Sequence, residues 1–304
     1  MIAVSATGLF KSYGDTIALD ELSFEVEQGQ IFGLIGPDGA GKTTLLRVLT
    51  SLILPDKGEA SVMGLDPGKN YKKLRQIIGY MPGRFSLYQD LSVEENLSLF
   101  ASIYNTTIQE NYHLIQSIYT QIEPFKDRRA GALSGGMKQK LALCCAMIHK
   151  PEILFLDEPT TGVDPVSRRE FWEMLKELND GGLTIIVSTP YMDEAGRCAK
   201  IALMQSGKFL AIDQPDRIHR LTDRPIYTIS GSQKFQMLKT LRKHKACRSI
   251  HSFGSQLHFT PEPEDFEAKS LQNDLIETGY SDAVVTQQIA NIEDTFMALM
   301  ENHG

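Results

Sequence analysis

The chain has 304 residues, 42% hydrophobic and 23% charged, the balance of a globular protein with room for about two domains. No apolar run approaches the roughly 20 residues that cross a bilayer, so a membrane role calls for a separate subunit, and Lys11 and Asp15 come too early for a signal-peptide core. The net charge of −7 argues against a nucleic-acid surface, and the four cysteines (Cys144, Cys145, Cys198, Cys247) lack metal-ligand spacing and read as free thiols in a reducing cytoplasm.

Residues 1–30 carry period-two patterning, as in Leu22-Ser23-Phe24-Glu25-Val26, and predict antiparallel strands. Tyr13 ends the first of them. Its ring either stacks on a nucleotide base or is a half-exposed strand tyrosine, and position alone favours the second. Gln30 to Ile35 reads as a short buried strand and Thr44 to Leu49 as the first turns of a helix, with Gly36-Pro37-Asp38-Gly39-Ala40-Gly41-Lys42-Thr43 between them. Strand, glycine loop and helix in this order make a phosphate site. The glycines let consecutive N–H groups face one concavity, and the helix N-terminus at Thr44 adds partial positive charge. Lys42 then reaches the β- and γ-phosphates, while the Thr43 hydroxyl is placed to ligate Mg²⁺.

Gly58 to Gly64 reads as a strand, followed by a basic helix through Lys72, Lys73 and Arg75, a strand over Ile77 to Met81 and a loop over Pro82 to Phe85. From Leu91 to Phe125 the pattern is helical, opened by Ser92 capping with Glu95. Residues 84–149 are expected to form a helical subdomain inserted into the nucleotide-binding core. Leu133-Ser134-Gly135-Gly136-Met137 leads into an apolar helix; a serine and two glycines at a helix start suit a phosphate, though serine N-caps are common. Ile153 to Leu156 is a buried strand that ends in Asp157-Glu158, and ligands bind at such strand ends in parallel sheets. Asp157 suits the Mg²⁺ shell, and Glu158 suits accepting a proton from, or orienting, an attacking water.

Thr161 to Pro165 is a turn that carries Asp164. Ser167 to Leu178 is an amphipathic helix with Phe171, Trp172 and Leu175 inward, and Leu183 to Ser188 is the next buried strand. Two short strands between Lys200 and Asp213 finish a first domain over residues 1–220, and the pattern breaks near Leu221 to Pro225. Residues 225–304 read strand, helix, strand, strand, helix, strand and a last helix, which predicts a small ferredoxin-like α+β domain. Its histidines (His244, His251, His258) have no ligand spacing.

Phosphate loop, Leu-Ser-Gly-Gly signature, acidic strand end and Val-Asp-Pro turn, in this order, resemble the ATP-binding subunit of an ABC transporter, most of all the drug-exporting type that pairs with a separate permease. The resemblance covers residues 1–220. It implies an α/β P-loop cassette with an antiparallel β subdomain, a mixed central sheet and an inserted helical subdomain. It also implies ATP and Mg²⁺ as ligands, ATPase activity, and a cytoplasmic position on the inner face of the cell membrane. Tyr13 is then expected on the adenine and the helical block against the permease. Two cassettes are expected to close head to tail, so that Ser134, Gly135, Gly136 and Asp164 of one complete the Lys42 loop of the other.

Two departures matter more than the matches. The family places a glutamine after Tyr-Met-Pro, where this chain has Gly83, and a histidine after Ser-Thr, where it has Pro190. Glycine cannot ligate Mg²⁺ or sense a γ-phosphate, and proline has no side-chain donor. Losing one preorganised contact costs about 10²–10³ in rate, so hydrolysis at this chain's own loop is expected to be very slow while binding survives. Asp38, where the family more often has a neutral residue, is expected to weaken phosphate affinity slightly. The intact signature points to one degenerate and one competent site shared with a non-identical partner cassette, either separate or fused downstream; a homodimer is the alternative. The alternative is a regulatory or structural subunit that binds ATP without meaningful hydrolysis. A soluble ABC protein of DNA repair or translation is disfavoured by the acidic charge and the lack of coiled-coil insertions.

Overall fold

Alternating apolar residues pair the first two strands into a long hairpin, β1 (Ile2–Tyr13) with β2 (Thr16–Glu27), and the buried run at Ile31 starts a separate sheet with β3 (Ile31–Ile35). The computed structural model describes residues 1–84, 86–221, 224–263 and 265–303, the side chains of residues 302 and 303 excepted. Phe85, the end of the expected loop after Met81, and Thr222 and Asp223, in the expected break, lie outside the described residues. Two compact units result, Met1–Pro215 and Asp216–Gly304.

In the first unit α1 (Lys42–Leu49) follows β3; then come β4 (Lys57–Val62), α2 (Tyr71–Ile77) and β5 (Ile78–Met81). The helical block consists of α3 (Val93–Ile103), α4 (Ile108–Tyr119) and α5 (Gly135–Met147). The chain re-enters the core as β6 (Ile153–Asp157), α6 (Pro165–Asp180), β7 (Thr184–Thr189), β8 (Lys200–Gln205) and β9 (Lys208–Asp213). β1, β2 and β4 form an antiparallel sheet of order β2-β1-β4. The central sheet runs β5-β6-β7-β3-β8-β9, parallel except for the β8–β9 hairpin. β3, β6 and β7 are buried at every residue, as strands covered on both faces must be. The fold is therefore the mixed α/β cassette that the motifs imply.

The second unit starts within a short helix, α7 (Pro215–Ile218), and continues as β10 (Ile226–Ser230), α8 (Lys234–Leu241), β11 (Cys247–Phe253), β12 (Gln256–Pro261), α9 (Ala268–Glu277), β13 (Val284–Gln288) and α10 (Ile292–His303). Its strand order, β11-β12-β10-β13 with every neighbour antiparallel, is that of a ferredoxin-like sheet. Tyr227, Ile229, Leu257 and Phe259 pack with Met237, Leu241, Leu271 and Leu275 into its own core. The alternate residue His258 is buried too, with Nδ1 2.7 Å from Asp294 Oδ1. Among the described residues no helix is long and apolar enough to cross a membrane.

The helical block is opened by the expected cap. Ser92 Oγ accepts from Glu95 N at 3.2 Å, and Glu95 Oε2 accepts from Ser92 N at 2.7 Å. The same box recurs, unforeseen, at Thr107 and Glu110 on α4. Replacing Ser92 with alanine is expected to cost about 0.5–2 kcal/mol locally, seen as faster hydrogen exchange of the first α3 amides with β3 and β6 unaffected.

Candidate functional site

Two close approaches, not turn propensity alone, fix the glycines that flank the loop. A Cβ on Gly36 would lie 2.1 Å from the Met204 carbonyl oxygen, and one on Gly41 would lie 2.3 Å from that of Ala18. Gly41 also has φ 106°, a left-handed conformation that suits glycine. Asp38 and Gly39 are exposed at the loop's tip, and Ala40 is buried. Beyond Gly41 the N–H groups of Lys42, Thr43 and Thr44 open α1, where no carbonyl of the helix can accept from them. Lys42 itself is only 3% exposed. Its ammonium has three hydrogens and three acceptors: Gly36 O at 2.7 Å, Pro37 O at 2.9 Å and Glu158 Oε1 at 3.1 Å.

The acidic pair comes from β6, which is not adjacent to β3; β7 runs between them. Ser188 on β7 is level with both Leu34 and Asp157 and bridges the gap. Its Oγ donates to Asp157 Oδ1 at 2.7 Å and accepts from Glu158 N at 3.0 Å. Thr43 Oγ1 donates to the same Asp157 oxygen at 3.1 Å. Glu158 turns sharply off the strand with φ 50°, a conformation that costs a residue with a Cβ about 1–2 kcal/mol, and this turn brings its carboxylate to Lys42.

Ordinary residue types hide a second network. Glu194, 3% exposed, accepts from Thr160 Oγ1 at 3.1 Å and Thr189 Oγ1 at 2.5 Å through Oε2, and from Arg168 Nε at 3.2 Å through Oε1. The Arg168 guanidinium lies 4.0 Å from the centre of the Tyr191 ring. This carboxylate ties together the turn after Glu158, the start of α6 and the end of β7 at Pro190.

The remaining predicted residues lie elsewhere. Ser134 is exposed and caps α5, accepting from Met137 N at 3.3 Å. A Cβ on Gly136 would lie 2.7 Å from Ser167 Oγ, so the signature packs on the start of α6. There Asp164 caps the helix. Hydrogen bonds from the Ser167 and Val166 N–H groups, Ser167 first, hold its carboxyl below the usual range. Tyr13 is half exposed at the hairpin end, with the Lys11 ammonium 5.8 Å from its ring centre. The signature thus packs beside Asp164 at the start of α6, and neither they nor Tyr13 line the cavity beside the acidic pair.

That cavity, of about 510 Å³, is bounded by Thr43, Arg47, Tyr80, Pro82, Gly83, Arg84, Asp157 and Glu158. Burial, with the nearby Asp157 carboxylate second, pushes the Tyr80 hydroxyl up to about 12, against the opposing pull of Arg47.

A buried parallel strand, a glycine loop with an ammonium beneath it and a carboxylate pair at a nearby strand end define the P-loop nucleotide-binding class. The ABC transporter family profile matches residues 19–161. The Nod factor export ATP-binding protein I of Mesorhizobium japonicum is 34% identical over 98% of this chain and 86% of its own length. The Probable multidrug ABC transporter ATP-binding protein YbhF of Escherichia coli is 45% identical over 70% of this chain, which spans only 37% of that relative's length. Among solved structures, an ATP binding subunit of an ABC transporter is similar at TM-score 0.65 and 28% identity, covering 72% of this chain and 92% of its own. The cbiO1 protein from Clostridium perfringens, part of the ABC transporter complex cbiONQ, is similar at TM-score 0.65 and 26% identity, covering 72% of this chain and 91% of its own. The chain belongs to the ABC transporter family of ATP-binding proteins.

Because Tyr80 stays neutral in the folded protein to about pH 12 while an unfolded tyrosine ionises near 10, its contribution to stability is complete below pH 10 and is lost between the two values. A spectrophotometric titration of the protein minus that of Tyr80→Phe should show this phenol ionising well above the others. Asp157→Asn should bring it down.

Proposed function

We propose that this chain is the ATP-binding subunit of an ABC exporter, coupling ATP binding and hydrolysis to transport through a separate membrane permease. The observation that carries the reading is the division of the site. The phosphate loop meets its acidic pair through Lys42 and Thr43, while the signature and Asp164 stay outside the cavity beside that pair, so we read each as half of a composite site. Two cassettes that meet head to tail would join the halves, with a non-identical partner or a second copy supplying the other pair. The relatives named for multidrug and Nod factor export support the direction of transport, and the cytoplasmic face of the membrane is where such a subunit would act.

The residues present fit a magnesium–triphosphate. Main-chain amides of the loop and Lys42 would hold the β- and γ-phosphates, Thr43 and Asp157 would hold the metal, and Tyr13 would cover the base. The bound Mg²⁺ supplies charge neutralisation for the phosphate oxygens. Phosphate competing for Lys42 would release Glu158, which would then orient water and take its proton. Ser188 and the strained turn keep Glu158 aimed at that position. In the companion site, Ser134, Gly135 and Gly136 would contact the partner's nucleotide, with Asp164 holding the signature's neighbouring helix start.

A second reading is favoured by one specific observation. Gly83 lies against the strand end and Pro190 stands at the end of β7, so two side chains that would complete the transition-state contacts are lacking. Hydrolysis at this chain's own loop would then be slow, the pocket would chiefly hold ATP, and the partner's site would carry turnover. In the limit the chain is a nucleotide-gated regulatory subunit.

Calorimetric titration with Mg-ATP should show binding that weakens about 10- to 100-fold in Lys42→Ala, the worth of a hydrogen bond to a charged group. Unchanged affinity would overturn the assignment of the site. Phosphate release by the chain alone should be slow and should rise by about 10² or more in the double variant Gly83→Gln, Pro190→His. A glutamine Cβ would lie 3.0 Å from Asp157 O, so the strand end must shift by a few tenths of an ångström to admit it. Brisk turnover of the unaltered chain would exclude the slow-site reading.

A further inference from the structure

A pocket that has lost its glutamine and histidine still has to tell ATP from ADP if it is to hold ATP, and Lys42 alone is already bound to Glu158. The cavity beside the acidic pair contains the means. Gly83 presents backbone, not side chain, to Asp157: an added Cβ would be 3.7 Å from Asp157 Cγ. The next residue, Arg84, is exposed and lines the same cavity, as does Arg47, one helical turn beyond Thr43. Arg47 lies near the Tyr80 hydroxyl, whose ionisation it eases. Among the described residues Arg84 has no carboxylate within ion-pair distance. An unengaged guanidinium therefore stands at the mouth of the cavity into which a nucleotide's terminal phosphate would project.

On the reading of the loop as an ATP site, we propose that Arg84 is the residue by which this pocket distinguishes a nucleoside triphosphate from the diphosphate. Its guanidinium cannot lose its proton and offers parallel N–H donors that match a phosphate edge. The cavity's two carboxylates would otherwise repel a terminal phosphate, and two arginines balance them. Arg84 is the one of the pair that adjoins Gly83, whose backbone faces Asp157. A glutamine amide at position 83 would read the phosphate through a metal; a guanidinium at position 84 reads it by charge. The substitution also has a kinetic meaning. A cation that grips the terminal phosphate equally before and during bond cleavage strengthens binding without speeding the chemical step. A site so built retains ATP and turns it over slowly.

The test is equilibrium binding of Mg-ATP and Mg-ADP to the full chain, unaltered and as Arg84→Ala and Arg84→Lys, with no hydrolysis readout. The unaltered chain should prefer ATP. Arg84→Ala should weaken ATP by about tenfold, the size of one charge-assisted hydrogen bond, and leave ADP unchanged, so that the preference collapses. Arg84→Lys, which keeps the charge without the paired donors, should restore part of it. An ATP-to-ADP ratio that Arg84→Ala does not move, or an equal weakening of both nucleotides, overturns the proposal while leaving the ATP site in place. Failure of the unaltered chain to bind ATP at all overturns the site and the proposal together.

Discussion

The structure is built around a buried ammonium group. Lys42 is almost wholly withdrawn from water, and a charge in that position is tolerable only if each of its three hydrogens has an acceptor. Two acceptors are carbonyls of the loop itself, which can curl beneath the side chain only because Gly36 and Gly41 admit neighbouring backbone where a Cβ would collide. The third is a carboxylate two strands away. Bringing it there requires the intervening strand to be level with both, a serine to pin the turn and a residue other than glycine in a left-handed conformation. The central sheet's order is thus tied to the needs of one side chain. A phosphate that takes the place of Glu158 keeps the ammonium satisfied, so nucleotide binding would exchange one anionic partner for another and free the Glu158 carboxylate.

Around this centre the first unit separates two tasks by position. The first turn of α1, the end of β5 with the loop after it and the end of β6 form the cavity, while the starts of α5 and α6 contribute no residue to it. The contact of Gly136 with Ser167 holds the two helix starts together. The second unit has a core and a strand order of its own, with a buried polar pair on the opposite side of its sheet. Asp294 both caps α10, through the Asn291 N–H at 3.0 Å, and meets His258, so one carboxylate anchors the last helix to the sheet.

Much of this was legible in the sequence, and the reason is local chemistry. The glycine loop, Lys42, Thr43 and the Asp157-Glu158 pair are read from neighbouring residues whose types have few other uses. The second unit's element order followed from period-two and helical patterns alone, and its antiparallel sheet agrees with that order. What stayed hidden depends on contacts between distant, ordinary residues. Glu194 meets Arg168 from 26 positions away and Thr160 from 34. No spacing rule singles out such an acid. Ser188 reads as the polar end of a buried strand, and only the folded contacts show that it holds the Asp157 carboxylate and the Glu158 backbone N–H. Arg84 follows a glycine in a loop and gains meaning only from the cavity that it borders.

The Glu194 network sets a limit on motion. The turn that carries Thr160 and the strand end that carries Thr189 share one buried oxygen, and the root of α6 holds the other. Swinging either loop away would strand a desolvated carboxylate short of a donor, at about 1–3 kcal/mol for each bond lost. The loops therefore travel as one piece or not at all. A neighbouring molecule that grips the Asp164 end of that piece would move Pro190 with it, which gives the chain a stiff lever between its outer surface and its interior.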